Sequence, residues 1–172
     1  MPYLCPMEEK NYINDDFAKV AEAFLVYKVR SVWHEIARMY NEMAAEYSST
    51  MATGFILLTI NEEEGTPVTH IAPRMGMEPN SLSRLLKTMQ EKGLVVRRKD
   101  GADNRKVYIC LTEYGIEMRK LALKGVYRVN SQINSRFPPE KIAAFLEIMN
   151  FIPQAVDEVC EQLVQEKKNE MQ

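Results

Sequence analysis

Cysteine is scarce: Cys5, Cys110 and Cys160 are the three in 172 residues, and no two form a Cys-x-x-Cys pair. That spacing excludes a disulfide framework and offers no structural zinc set, and it fits a reducing compartment. Long apolar runs are missing too. No stretch reaches the roughly 18 residues that a membrane helix requires, and the first residues lack the basic, apolar, small-residue order of a secretory signal. The expectation is a cytoplasmic chain with no membrane partner. Histidine is limited to His34 and His70, neither spaced to pair with a nucleophile, a carboxylate or a second metal ligand, and no phosphate-binding glycine loop occurs. The chain is therefore expected to be no enzyme and to need neither metal nor cofactor. Internal repeats and low-complexity segments are absent as well.

What is present is an uneven distribution of charge. The formal net charge is −2, which argues against bulk attraction to nucleic acid. Yet residues 74–106 hold nine Lys/Arg against four Asp/Glu, whereas residues 1–73 hold five against eleven. A local cationic patch sits in an acidic chain, bounded on one side by Glu62, Glu63 and Glu64.

The patch coincides with a pattern of elements running from Thr66 to Thr112. A first helix is expected to begin at Thr69, whose hydroxyl can cap the amides that follow, and to end at Gly76, where a left-handed residue can close it. Met77 fills the turn. Pro79 suits the first turn of a second helix, whose Leu82, Leu85, Leu86 and Met89 recur at helical spacing as a buried face. Its opposite face carries Asn80, Ser81, Ser83, Arg84, Lys87 and Thr88. Short hydrogen-bonding groups backed by longer cations suit a helix lying in a DNA major groove. After Gly93, residues 94–96 lead as a strand into Arg97, Arg98 and Lys99, and residues 107–111 return. The turn-rich segment between them opens with Asp100-Gly101 and includes Asp103, Asn104, Arg105 and Lys106. A Leu/Met stripe is most often plain core, and a charged hairpin tip most often a solvated turn. Their succession behind a helix-turn-helix pattern is what favours double-stranded DNA as the partner.

At these residues the chain resembles the multiple-antibiotic-resistance regulator (MarR) family of transcription factors. The similarity rests on Ser81-Leu82-Ser83-Arg84-Leu85-Leu86 followed by Glu91-Lys92-Gly93-Leu94-Val95, and on Asp103-Asn104-Arg105-Lys106-Val107 followed by Leu111-Thr112-Glu113-Tyr114-Gly115. The resemblance implies that Arg105 enters the minor groove and that Asp103 holds the wing in shape. A narrow minor groove has enhanced negative potential, a physical reason for a guanidinium there. Two positions depart from the family pattern: Pro73, inside the first helix, and Glu78, where a smaller cap is common.

The expected fold class is mainly α with a small β-wing, a winged helix-turn-helix flanked by long N- and C-terminal dimerisation helices. Residues 1–47 are read as an arm and dimerisation helix, 48–112 as the DNA-binding domain and 113–172 as C-terminal dimerisation helices. Within the first, residues 16–47 lack Pro and Gly and are expected to form one helix, followed by a second helix over 51–61. Thr112 should cap a helix reaching Asn134, and Pro138-Pro139-Glu140 should open a last helix kinked near Pro153. Surplus apolar surface on the terminal helices implies an oligomer, and the resemblance implies a homodimer. Two-fold symmetry would set recognition helices roughly 34 Å apart on a pseudo-palindromic operator. Repression is expected over activation.

The resemblance further implies release of DNA by a small aromatic or amphipathic effector, for which Trp33, Tyr40 and Phe55 are the candidate lining, although aromatics at helical spacing are usually core. Two alternatives remain at this stage. One is redox sensing on the same fold through Cys5 or another cysteine; Cys5 has little beyond Lys10 to lower its pKa, and Cys110 reads as a structural strand residue. The other is a winged-helix module for protein contact with no DNA target.

Overall fold

The computed structural model describes residues 23–99 and 106–170. Its elements in chain order are α1 (Leu25–Ala45), α2 (Met51–Thr59), β1 (Thr66–Pro67), α3 (Val68–Met75), α4 (Pro79–Glu91), β2 (Val95–Lys99), β3 (Val107–Leu111), α5 (Glu113–Asn134) and α6 (Pro139–Glu170). The chain divides into two compact units, Met1–Gly125 and Val126–Gln172.

The expected helix over 16–47 is shorter at its start. Phe24 is extended (φ −81°, ψ 121°) and its carbonyl accepts from Lys28 N at 3.0 Å, so α1 begins at Leu25; residues 16–22 lie outside the described residues. The chain leaves α1 through Ser48, a non-glycine residue at φ 50°. Thr50 then starts α2 by accepting from Thr53 N at 3.2 Å. That helix stops at Thr59 rather than Asn61, because Asn61 is recruited by the following turn: its Oδ1 accepts from Glu63 N and Glu64 N, each at 2.9 Å.

A third strand precedes α3. Thr66 pairs with Ile109 and Pro67 with Tyr108, which makes an antiparallel sheet in the order β1-β3-β2 with Pro67 on an edge strand. Because residues 66–67 are held in the sheet, α3 starts at Val68 with Pro67 in the cap position, and Thr69 falls inside the first turn instead of capping it. The other end is as expected. Gly76 is left-handed (φ 58°, ψ 34°), Met77 N donates to Ala72 O at 3.1 Å and Gly76 N to Pro73 O at 3.2 Å. This paired closure satisfies carbonyls that a helix end leaves open. The same closure ends α4, with Gly93 at φ 70°, Leu94 N on Met89 O and Gly93 N on Gln90 O, both at 2.9 Å.

The core lies under this unit. Ile56, Leu57 and Ile60 from the α2 region meet Ile71 of α3, Leu82, Leu86 and Met89 of α4, Leu94, Val95 and Ile109 of the wing, and Met118 of α5. Burying each large aliphatic side chain contributes about 1.5–3 kcal/mol, so this cluster fixes how α4 is presented. In the second unit, α6 runs as one helix through Pro153.

Candidate nucleic-acid interface

The recognition face follows from helical periodicity. Leu82, Leu86 and Met89 are fully buried and Leu85 is half-buried, whereas Asn80, Ser81, Ser83, Arg84, Lys87 and Thr88 are all exposed. Pro79 opens the helix, and Leu82 N takes the Glu78 carbonyl at 3.0 Å. Lys87 lies 3.9 Å from Glu91 one turn on, an exposed pair worth little in water and easily exchanged for a phosphate. Thr88 Oγ1 bonds back to Arg84 O at 3.3 Å, which occupies its hydroxyl within the helix.

The strand register decides where the wing cations point. Val95 pairs with Leu111, Arg97 with Ile109, Arg98 with Tyr108 and Lys99 with Val107. Cross-strand partners share a face of the sheet. Arg97 and Lys99 therefore lie on the face that carries buried Val95 and Ile109, the face packed with α4. Arg98 lies on the other face. Its Nη2 donates to the Glu64 carbonyl at 2.5 Å, and its guanidinium carbon sits 5.5 Å from the centre of the Tyr108 ring. Lys106 is exposed at the start of the return strand. Asp103 and Arg105 lie outside the described residues.

Sequence reasoning passed over two exposed residues beside this face and one long-range contact. His70 and Arg74, four residues apart, are exposed on α3, the helix that in this architecture crosses the sugar-phosphate backbone. Their signal was available in the polar stripe opposite Ile71 and Met75. Lys92, at the end of α4, is engaged elsewhere, donating to Ser48 O at 2.6 Å. That contact joins positions 44 residues apart and has no local sequence signal.

The candidate effector residues are partly brought together. Tyr40 and Phe55 meet edge to face with ring centres 5.6 Å apart, and burial pushes the Tyr40 phenol pKa upward. Trp33, two turns earlier on α1, is half-exposed. A shallow cleft of about 230 Å³ opens elsewhere, among Tyr47, Ser48, Lys92, Leu94, Tyr114 and Met118. Among the described residues no group of His, Cys, Asp and Glu is placed to hold a metal ion, and no helix is long and apolar enough to cross a membrane.

A recognition helix seated on a helix-turn-helix core and followed by a cationic antiparallel hairpin defines a winged helix-turn-helix protein. Residues 50–107 match the MarR family model. The chain is 34% identical over 91 residues to the HTH-type transcriptional regulator TtmR of Methylorubrum extorquens, a match covering 53% of this chain and 47% of that protein. It thus spans about half the length of that relative. It is 28% identical over 115 residues to the HTH-type transcriptional regulator SarZ of Staphylococcus haemolyticus, covering 67% of this chain and 76% of SarZ. In fold it is similar to S. aureus MepR, crystallised as a complex with DNA, with a TM-score of 0.71 at 19% identity over 77% of this chain and 98% of MepR. Residues 50–107 thus form a MarR-type domain, and the chain is similar to HTH-type transcriptional regulators over that region and its flanks.

Proposed function

We propose that this protein is a cytoplasmic, homodimeric repressor that reads a pseudo-palindromic operator and releases it when a small aromatic or amphipathic effector binds. The observation that carries the DNA reading is the two-sided α4: buried Leu82, Leu86 and Met89 hold it in place, while Asn80, Ser81, Ser83 and Arg84 face solvent together. We assign base readout to those four, and phosphate contact to Lys87, Arg97, Lys99 and Lys106, joined by His70 and Arg74 on α3. Arg105, with Asp103 supporting it, completes the wing by family resemblance.

Residues 48–112 serve DNA reading in this scheme, and residues 1–47 and 113–172 serve dimerisation. The dimer reading is supported by the apolar side chains that α6 exposes, among them Phe145, Leu146, Phe151, Val159 and Leu163, and by Leu25, Val26 and Val32 on α1. The effector reading is supported by the Tyr40–Phe55 pair, with Trp33 two turns earlier on α1. Sedimentation equilibrium together with a salt series of DNA binding tests the scheme. The expected result is a dimer whose affinity for duplex falls steeply with salt. A monomer, or a protein indifferent to duplex at low salt, contradicts it.

A further inference from the structure

The geometry points to Arg98 as a positioning residue that holds the wing in its DNA-reading orientation, and not as a phosphate ligand. This deepens the DNA-binding reading above and rests on it. By composition Arg97, Arg98 and Lys99 are three equivalent cations. By register they are not, since Arg98 alone lies on the sheet face opposite that packed with α4.

On that face Arg98 makes two contacts that suit a guanidinium. It donates to the Glu64 carbonyl at 2.5 Å and lies over the Tyr108 ring at 5.5 Å. A planar guanidinium can donate in its plane and stack across it, which an ammonium cannot do equally well. The carbonyl it grips belongs to a braced loop. Asn61 Oδ1 holds the amides of Glu63 and Glu64, Gly65 N returns to Asn61 O at 3.1 Å, and Asn61 N donates to Thr66 Oγ1 at 2.9 Å. Gly65, at φ 76°, is pressed so closely on β3 that a Cβ would stand 2.6 Å from Cys110 Sγ and 2.8 Å from Ile109 O. The other side of the loop is tied to α5, where Arg119 Nη1 lies 3.3 Å from Glu62 Oε2.

Arg98 therefore fastens the outer end of β2 to a loop that is itself anchored to β3 and α5. The cations on the opposite face, Arg97 and Lys99, inherit their direction from that attachment. Glu62, Glu63 and Glu64, which sequence alone marks only as an acidic border, become the frame of the wing.

The test measures binding of mixed-sequence duplex DNA across a salt series for wild type, Arg98→Ala, Arg98→Lys and Lys99→Ala, with amide hydrogen exchange on each free protein. Arg98→Ala should weaken binding about three- to tenfold, the equivalent of one lost hydrogen bond, with the wild-type salt slope retained. Lys99→Ala should lower that slope by about one unit. Arg98→Lys should not restore affinity, and Tyr108→Leu combined with Arg98→Ala should lose less than the product of the two single losses. Exchange in the loop around Glu64 and at the outer ends of β2 and β3 should quicken in Arg98→Ala. A slope reduced by about one and restored by lysine would make Arg98 a phosphate contact and overturn the proposal, as would unchanged affinity or unchanged exchange. Wild-type protein that ignores DNA would instead remove the DNA-binding reading, while the exchange data would still decide whether Arg98 holds the wing.

Discussion

Gly115 packs against the backbone of Leu94 so closely that a Cβ on it would stand 2.0 Å from the Leu94 carbonyl oxygen. The contact forms where the wing ends and α5 begins. Thr112 N donates to that same carbonyl at 3.2 Å, Thr112 Oγ1 donates to Gly93 O at 2.6 Å, and Thr112 Oγ1 accepts from Gly115 N at 2.9 Å. The Leu-Thr-x-x-Gly run thus has a mechanical meaning: threonine caps α5 and glycine lets the helix reach the end of the recognition unit.

Gly115→Ala is expected to cost about 3 kcal/mol, the upper end of overpacking penalties, because the obstacle is backbone and cannot swing aside. For a chain of this length that lowers Tm by roughly 6–12 °C. Calorimetry of the variant beside wild type checks it, and a shift within error would mean that α5 can move away from Leu94 at no cost.

Leu86 is fully buried at the centre of the α4 face. Leu86→Ala should lose about 2–5 kcal/mol of stability by leaving a cavity beneath the recognition helix. Urea unfolding measures this directly. A loss below about 1 kcal/mol would place Leu86 outside the main core.

On the opposite face of the same helix the cost should appear in recognition and leave stability intact. Arg84→Ala or Ser83→Ala should change preference at particular base pairs by about 1–3 kcal/mol each, with unfolding midpoints unmoved. Lys87→Ala should weaken all sequences alike and lower the salt slope by about one unit. Competition binding among single-base operator variants separates the two classes; a uniform loss from Arg84→Ala would move Arg84 into the phosphate class.

Burial raises the Tyr40 phenol above its ordinary value of 10.0, so the folded protein favours the neutral form. The stability this contributes is present in full below pH 10.0 and is lost as pH climbs through the raised folded value. Tyr40→Phe should therefore flatten the alkaline fall in stability above pH 10.0. Urea midpoints that decline in parallel for the two proteins would mean that Tyr40 ionises as freely folded as unfolded.

The recognition helix was readable from sequence because its signals are local: Pro79 at the start, leucines at helical spacing, Gly93 at the close. The wing strands were readable for the same reason. Strand β1 was not, since two residues carry no periodicity and become a strand only by meeting Ile109 and Tyr108. That pairing also displaced Thr69 from the cap position, so a local rule gave way to a long-range contact. Arg98 shows the limit for the site itself. Its residue type matches that of a phosphate ligand, and only the register and the position of Glu64, 34 residues earlier, reveal what it holds.

Selection of bound sequences from a random duplex library, by wild-type protein and by Arg84→Ala, tests whether this chain is a dimeric reader of DNA. At physiological salt, where nonspecific affinity is weak, wild type should enrich a motif with two-fold symmetry and half-sites about 10 base pairs apart, and Arg84→Ala should blur specific positions within each half. No enrichment by folded, dimeric wild type would contradict sequence-specific DNA binding by this chain.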